Sequence, residues 1–219
     1  MRWNRLGWVA MAVLALAVAA YAFAVALTPE WRPPLVRDLF GQRPLAAWGH
    51  LLGGGVALAA GAFQLNTRLR NRWLGLHRWL GRVYAAAVGV GGLSALVLAP
   101  HALTGAVAAT GFALLGLCWL ATTALAVRAI RGRRLAAHRD WMVRSYALTL
   151  AAVTLRIYLG SSQLAGISFT VAYPAIAWLC WVPNLLLAEW FVRSPRARAM
   201  LAASAVPERW RRMPEPPRA

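Results

Sequence analysis

The sequence contains no lysine, only two cysteines and only six acidic residues, set against 24 arginines. Two cysteines cannot build the disulfide framework of a small secreted scaffold. Cys118 and Cys180 show no metal-ligand spacing, lie within apolar runs, and are expected to be small packing residues. Charged residues make up 14% of the chain and hydrophobic residues 60%, whereas soluble domains carry about one quarter charged residues. This balance argues against a disordered chain and against a soluble nucleic-acid-binding domain, despite a net charge of +18. The sequence also lacks a Walker loop, a dinucleotide fingerprint, a hydrolytic triad and a closed metal-ligand cluster.

What it has instead is long, largely uncharged runs. A helix needs about 20 apolar residues to cross a hydrocarbon core of roughly 30 Å. Six segments meet that length: 7–27, 44–65, 79–99, 105–127, 142–163 and 171–192. The expected fold is an all-α, polytopic membrane helix bundle with six transmembrane helices over residues 1–193. The first run follows Arg2 and Arg5 and resembles a secretory signal, but its apolar core exceeds the usual length. It is expected to remain as an uncleaved span. The Arg/Pro-rich segment 194–219 is expected to be a disordered cytoplasmic tail.

Arginine placement sets the expected orientation. Twenty of the 24 arginines fall on the side shared by the N-terminus, the second and fourth connections and the C-terminal tail. Arg32, Arg37 and Arg43 fall on the other side, and Arg156 is stranded within a span. The positive-inside rule then places both termini in the cytoplasm, in a multi-pass protein of a bacterial plasma (inner) membrane. Trp3, Trp8, Trp73, Trp79, Trp141 and Trp190 mark the cytoplasmic boundary, and Trp31 and Trp48 the outer one. Expected partners are the bilayer itself and, through the cytoplasmic arginines, anionic lipid headgroups. Nucleic acid is not among them. The outer segment 28–43, with Pro29, Pro33 and Pro34, is expected to run extended into a short turn.

Two helix starts echo each other. His77-Arg78-Trp79-Leu80-Gly81-Arg82-Val83-Tyr84 and His138-Arg139-Asp140-Trp141-Met142-Val143-Arg144-Ser145-Tyr146 both read His-Arg, Trp, Arg, Tyr, with one residue inserted. Both helices rise from the same side, so the histidines arrive at one depth. Two imidazoles so placed are able to serve as axial ligands of one haem iron. Arg78, Arg82, Arg139 and Arg144 would then neutralise the propionates. The competing reading is that His-Arg followed by Trp merely anchors a helix start among lipid headgroups.

The remaining polar residues within spans are few. His50 stands near the outer end of the second span, before Gly53-Gly54-Gly55, and is a candidate second metal-ligating position. The glycines serve either close helix approach or a planar cofactor. His101, in the short outer loop, would meet His50 only if that loop folded inward. Arg156 and His50 come to similar depths at 1.5 Å per residue. Ser145, Thr149, Ala152 and Arg156 follow helical spacing and form a small-and-polar stripe expected to face the bundle interior. Asn184 and Glu189 lie lower in the sixth span, with Glu189 placed to clamp Arg144 or Arg82.

The run Gly49 to Gly54, the two His-Arg blocks (the second extended through Arg156) and Pro183-Asn184 through Glu189 together resemble a bacterial membrane-protein family of unknown function. The resemblance covers roughly residues 45–192 and implies a polytopic membrane protein without an assigned activity. A more distant likeness is to the ascorbate-reducible di-haem cytochromes of the b type, whose helices carry histidines in two layers. His77 and His138 are similar to one such pair. The second pair would need a histidine on the fourth span opposite His50, where this chain has none, so the likeness implies at most one haem b.

Three functions follow as expectations. The first is a b-type haem protein passing electrons between a quinol and a redox partner. The second is a transporter or small-molecule binder using His50, Ser145, Thr149, Arg156 and Asn184. The third is a structural subunit without a cofactor, whose polar residues only lock six helices together.

Overall fold

In hydrocarbon no water is available to backbone groups, so a crossing chain must satisfy them within its own helices. The structure, a computed structural model describing residues 5–194, follows that constraint and contains no strand among them. Its helices are α1 (Arg5–Leu27), α2 (Pro34–Gln42), α3 (Pro44–Gln64), α4 (Thr67–Arg72), α5 (Leu74–Leu98), α6 (Ala106–Arg131), α7 (Leu135–Thr149), α8 (Ala151–Leu164), α9 (Phe169–Leu179) and α10 (Val182–Arg193). Six stretches are long and apolar enough to cross a membrane: α1, α3, α5, α6, α7 with α8, and α9 with α10. Residues 1–4 and 195–219 lie outside the described residues, and with them Arg2, Trp3 and almost all of the expected tail.

Two boundaries differ from those read off the apolar runs. The third span starts at Leu74 and the fifth at Leu135, because each helix continues through a basic interfacial turn that a hydropathy boundary leaves out. His77 and His138 are therefore inside their helices. The segment before the second span also differs. Instead of running extended, residues 34–42 form α2, with Pro33 and Pro34 at its N-terminus, where a missing N–H leaves nothing unsatisfied. Arg32 closes this turn, its guanidinium 3.7 Å from the Phe40 ring centroid and its Nη2 donating to the Ala26 carbonyl at 2.8 Å.

Packing between spans depends on small residues, because lipid tails compete equally for apolar contact. α3 and α5 pack most extensively, α1 lies on α3, α6 on α5, α7 on α6, α9 on α6 and α8, and α10 on α7. At the α3–α5 contact, a Cβ added to Gly53 would lie 2.7 Å from the Gly91 nitrogen and 2.8 Å from the Ala87 oxygen. One added to Gly55 would lie 2.9 Å from the Phe23 ring of α1, whereas Gly54 has nothing within 4 Å. Gly53 and Gly55 thus serve close approach, one toward each neighbouring helix.

The last two spans are both interrupted. Thr149 donates its hydroxyl to the Ser145 carbonyl at 3.0 Å, a back-bond that bends helices, and the chain passes from α7 to α8 at Leu150. Pro183 lacks an N–H at the start of α10, and α9 ends at Leu179. Asn184 sits where the two interruptions meet. Its Nδ2 reaches the Ala147 carbonyl (3.3 Å) before the first break, Thr154 Oγ1 (3.0 Å) after it, and the Cys180 carbonyl (3.1 Å). Asn184 therefore fastens the two broken spans together.

Candidate functional site

The echoed blocks arrive as expected, at one register. His77 is the fourth residue of α5 and His138 the fourth of α7, with backbone N–H groups bonded to Trp73 O and Arg134 O. Arg70, His138 and Arg78 all act electrostatically on the His77 ring. Burial, with Arg139 nearby, holds the Arg70 guanidinium below its ordinary range, so Arg139 belongs to the same cluster. Gln64 supports it from α3 by donating to the His77 carbonyl at 2.9 Å. Asp140 interacts with Arg139. The basic end of the bundle thus gathers two imidazoles and three guanidiniums, with one carboxylate beside Arg139.

The imidazoles are held differently. His138 Nδ1 lies 2.9 Å from the Ala126 carbonyl of α6. A carbonyl only accepts, so Nδ1 carries a proton, and in the neutral ring Nε2 keeps its lone pair. His77 Nδ1 is buried without a partner. Arg82 is exposed on α5.

Arg144 belongs to a separate unit. Its Nε meets Glu189 Oε1 at 2.5 Å and its Nη2 meets Oε2 at 3.1 Å, with the guanidinium 4.5 Å from the Trp141 ring centroid. Arg193 joins the same carboxylate at 3.0 Å. Of the two arginines offered to Glu189 by the sequence, the structure selects Arg144, and the clamp ties α7 to α10. A double-mutant cycle on Arg144→Ala and Glu189→Ala, read by unfolding in detergent, is expected to give a coupling of about 1–3 kcal/mol. Additive single effects would show the pair to be idle.

The polar stripe expected along the fifth span divides at the Leu150 break. Its lower half, Ser145 and Thr149, is fully engaged in a hydroxyl cluster. Tyr84 OH lies 2.7 Å from Ser145 Oγ and 2.8 Å from Thr149 Oγ1, and Thr123 Oγ1 lies 2.7 Å from Ser145 Oγ. Trp119 Nε1 donates to Thr149 Oγ1 at 2.9 Å. The Thr149 proton goes to the Ser145 carbonyl and the Thr123 proton to the Trp119 carbonyl, so Tyr84 donates to Thr149, and the one Ser145 proton is shared between the Tyr84 and Thr123 oxygens. This closed set fills the bundle centre, with Tyr84 buried at 0% exposure and the Tyr84 and Tyr146 ring centroids 6.4 Å apart. The tyrosines of the two echoed blocks therefore meet in the core.

The upper half, Arg156, turns toward α1. Its Nη1 donates to the Ala152 carbonyl at 2.8 Å, and its guanidinium lies 5.2 Å from the Tyr21 ring centroid. His50 lies within its electrostatic reach and donates Nδ1–H to Gly91 O at 3.3 Å. Asn184 stops at Thr154, one helical step below. His101 meets Arg43 Nη2 at 3.4 Å rather than His50. Sequence reasoning gave no role to Tyr21, Gln64, Arg70, Trp119 or Thr123. Only Tyr84 and Tyr146 carried a signal, as the last members of the echo.

No group of three or more metal-ligating side chains forms among the described residues. Six stretches long and apolar enough to cross a membrane, among the described residues, define a polytopic helical membrane protein. The family model described as "Predicted membrane protein (DUF2306)" matches residues 47–192, and the chain belongs to that family. No curated protein and no solved structure matches it.

Proposed function

We propose that the chain is a haem b-binding membrane protein with His77 and His138 as axial ligands at its basic end. The single observation that carries this reading is the held tautomer of His138. An axial imidazole needs its second nitrogen donated to a carbonyl or carboxylate, and the Ala126 carbonyl meets that need while Nε2 stays available. His77, at the matching helix position and within electrostatic range, supplies the second imidazole. Two neutral imidazoles suit a b-type iron, and Arg70, Arg78 and Arg139 suit its propionates. Arg82 is a further candidate from the exposed face of α5. Arg144, bound to Glu189, contributes to the frame of the site.

Tyr84 and Tyr146, with Trp119, fill the core about two turns above the histidines, so the group would be seated at the basic mouth, below that plug. When bound, haem supplies one-electron transfer. The chain's own part is to hold the His138 tautomer, balance the propionate charge and close the apolar core against solvent. A quinol and a second redox protein are the partners this reading requires, and the positive-inside rule puts the site on the cytoplasmic face of a bacterial inner membrane.

The test is a reduced-minus-oxidised absorption spectrum on the purified chain and its variants. His77→Ala and His138→Ala are each expected to lose the low-spin α-band, whereas His101→Ala keeps it. An unchanged spectrum in His138→Ala would remove the assignment.

A further inference from the structure

We propose that Arg156 and His50 form a binding site for a phosphate monoester at the distal end of the bundle, separate from the histidines of the basic end. Arg156 stands eight residues before the end of α8 and His50 six residues after the start of α3, about 12 Å and 9 Å in from their respective ends. An ionised group at such depth is costly without a counter-charge. Among the described residues no acidic side chain pairs with Arg156. Glu189 is held at the basic end by Arg144 and Arg193, and Asp140 lies beside Arg139.

The guanidinium is poised rather than satisfied. Nη1 is spent on its own helix, and Nε is buried with no partner. No acceptor among the described residues bonds the Nε–Nη2 edge, and that edge matches two oxygens of a phosphate or carboxylate. His50 adds a different capability. Its Nδ1–H is committed to Gly91 O, so in the neutral ring Nε2 accepts a hydrogen bond instead of donating one. A ligand complementary to both residues presents acceptor oxygens to Arg156 and an O–H to His50. A phosphate monoester has both, whereas sulfate and phosphodiester groups lack the O–H.

Access and room are present. His50 is exposed, Tyr21 is 44% exposed beside the guanidinium, and a Cβ built on Gly54 or Gly160 would meet nothing within 4 Å. The same chemistry is carried by inorganic phosphate from solution and by the headgroup of phosphatidic acid from the bilayer.

The full chain in uncharged detergent is titrated separately with inorganic phosphate, dioleoyl phosphatidic acid and sulfate, with saturable binding measured per chain. One of the two phosphate probes is expected to bind at a single site. Tighter binding of phosphatidic acid assigns the site to lipid, and tighter binding of inorganic phosphate assigns it to a soluble ligand. Arg156→Gln is expected to weaken binding by about tenfold or more, the loss of a charge-assisted contact, with Arg156→Lys in between. His50→Ala is expected to remove the preference for phosphate over sulfate. Absence of saturable binding to the native chain overturns the proposal, as does native-like binding by Arg156→Gln. Should Arg156→Gln fail to fold, an unchanged phosphate-over-sulfate preference in His50→Ala overturns it equally.

Discussion

Gly53→Ala is expected to destabilise the bundle by about 1–3 kcal/mol, the usual cost of forcing a methyl group into a packed contact. The new Cβ would meet Gly91 N and Ala87 O, both backbone atoms, so no side-chain rotation relieves it. α3 and α5 would have to separate, taking with them the His50 bond to Gly91 O. Gly54→Ala, one residue away, is the control. Nothing lies within 4 Å of its Cβ, and alanine is favoured over glycine within a helix by about 1 kcal/mol. Unfolding curves in detergent should therefore move in opposite directions for neighbouring, chemically identical substitutions. Equal shifts would mean that α3 and α5 do not approach as described.

Tyr84→Ala is expected to cost more, about 3–5 kcal/mol, as large-to-small substitutions of buried aromatics do. The ring is fully buried, and its hydroxyl donates to Thr149 and lies 2.7 Å from Ser145 Oγ. Tyr84→Phe separates the two contributions by keeping the ring. Thr149 would then lose the Tyr84 donor, at a cost of about 1–2 kcal/mol, tempered because hydrogen bonds between membrane helices average only about 0.6 kcal/mol. Leu187, 65% exposed on α10, is a lipid-facing comparison at which alanine should change stability little. If Tyr84→Phe proved as damaging as Tyr84→Ala, the hydroxyl cluster rather than the packed ring would dominate the core.

Much of this architecture was legible because hydrocarbon imposes so few solutions. Apolar runs of about 20 residues are expected as helices, and the six expected spans match the six observed. The register of His77 with His138 was legible too, since the echo fixes equivalent positions on two helices that start at the same end. Depth narrowed the partner of Glu189 to Arg144 or Arg82, and the structure selects Arg144.

Other features depend on tertiary partners that no local pattern encodes. Helical spacing put Arg156 on one stripe with Ser145 and Thr149, but the Thr149 back-bond ends α7, and the residues beyond it turn toward α1. Pro29, Pro33 and Pro34 suggested extended chain, yet Pro33 and Pro34 occupy the one helical location that favours proline. Gly53, Gly54 and Gly55 look equivalent in sequence, and only the neighbours separate their roles: helix backbone, open space and an aromatic ring. Asn184 read as a low-lying polar residue, whereas its amide joins two helix breaks that the sequence marked only through Pro183.

The most direct measurement is the haem-to-chain ratio of the full-length protein, purified after expression with ample haem precursor. The bis-histidine reading predicts about one haem b per chain, low-spin when oxidised, because two imidazoles fill both axial positions. A protein that purifies folded and monodisperse with no Soret absorbance would contradict it, and the basic end would then stand as an interfacial anchor.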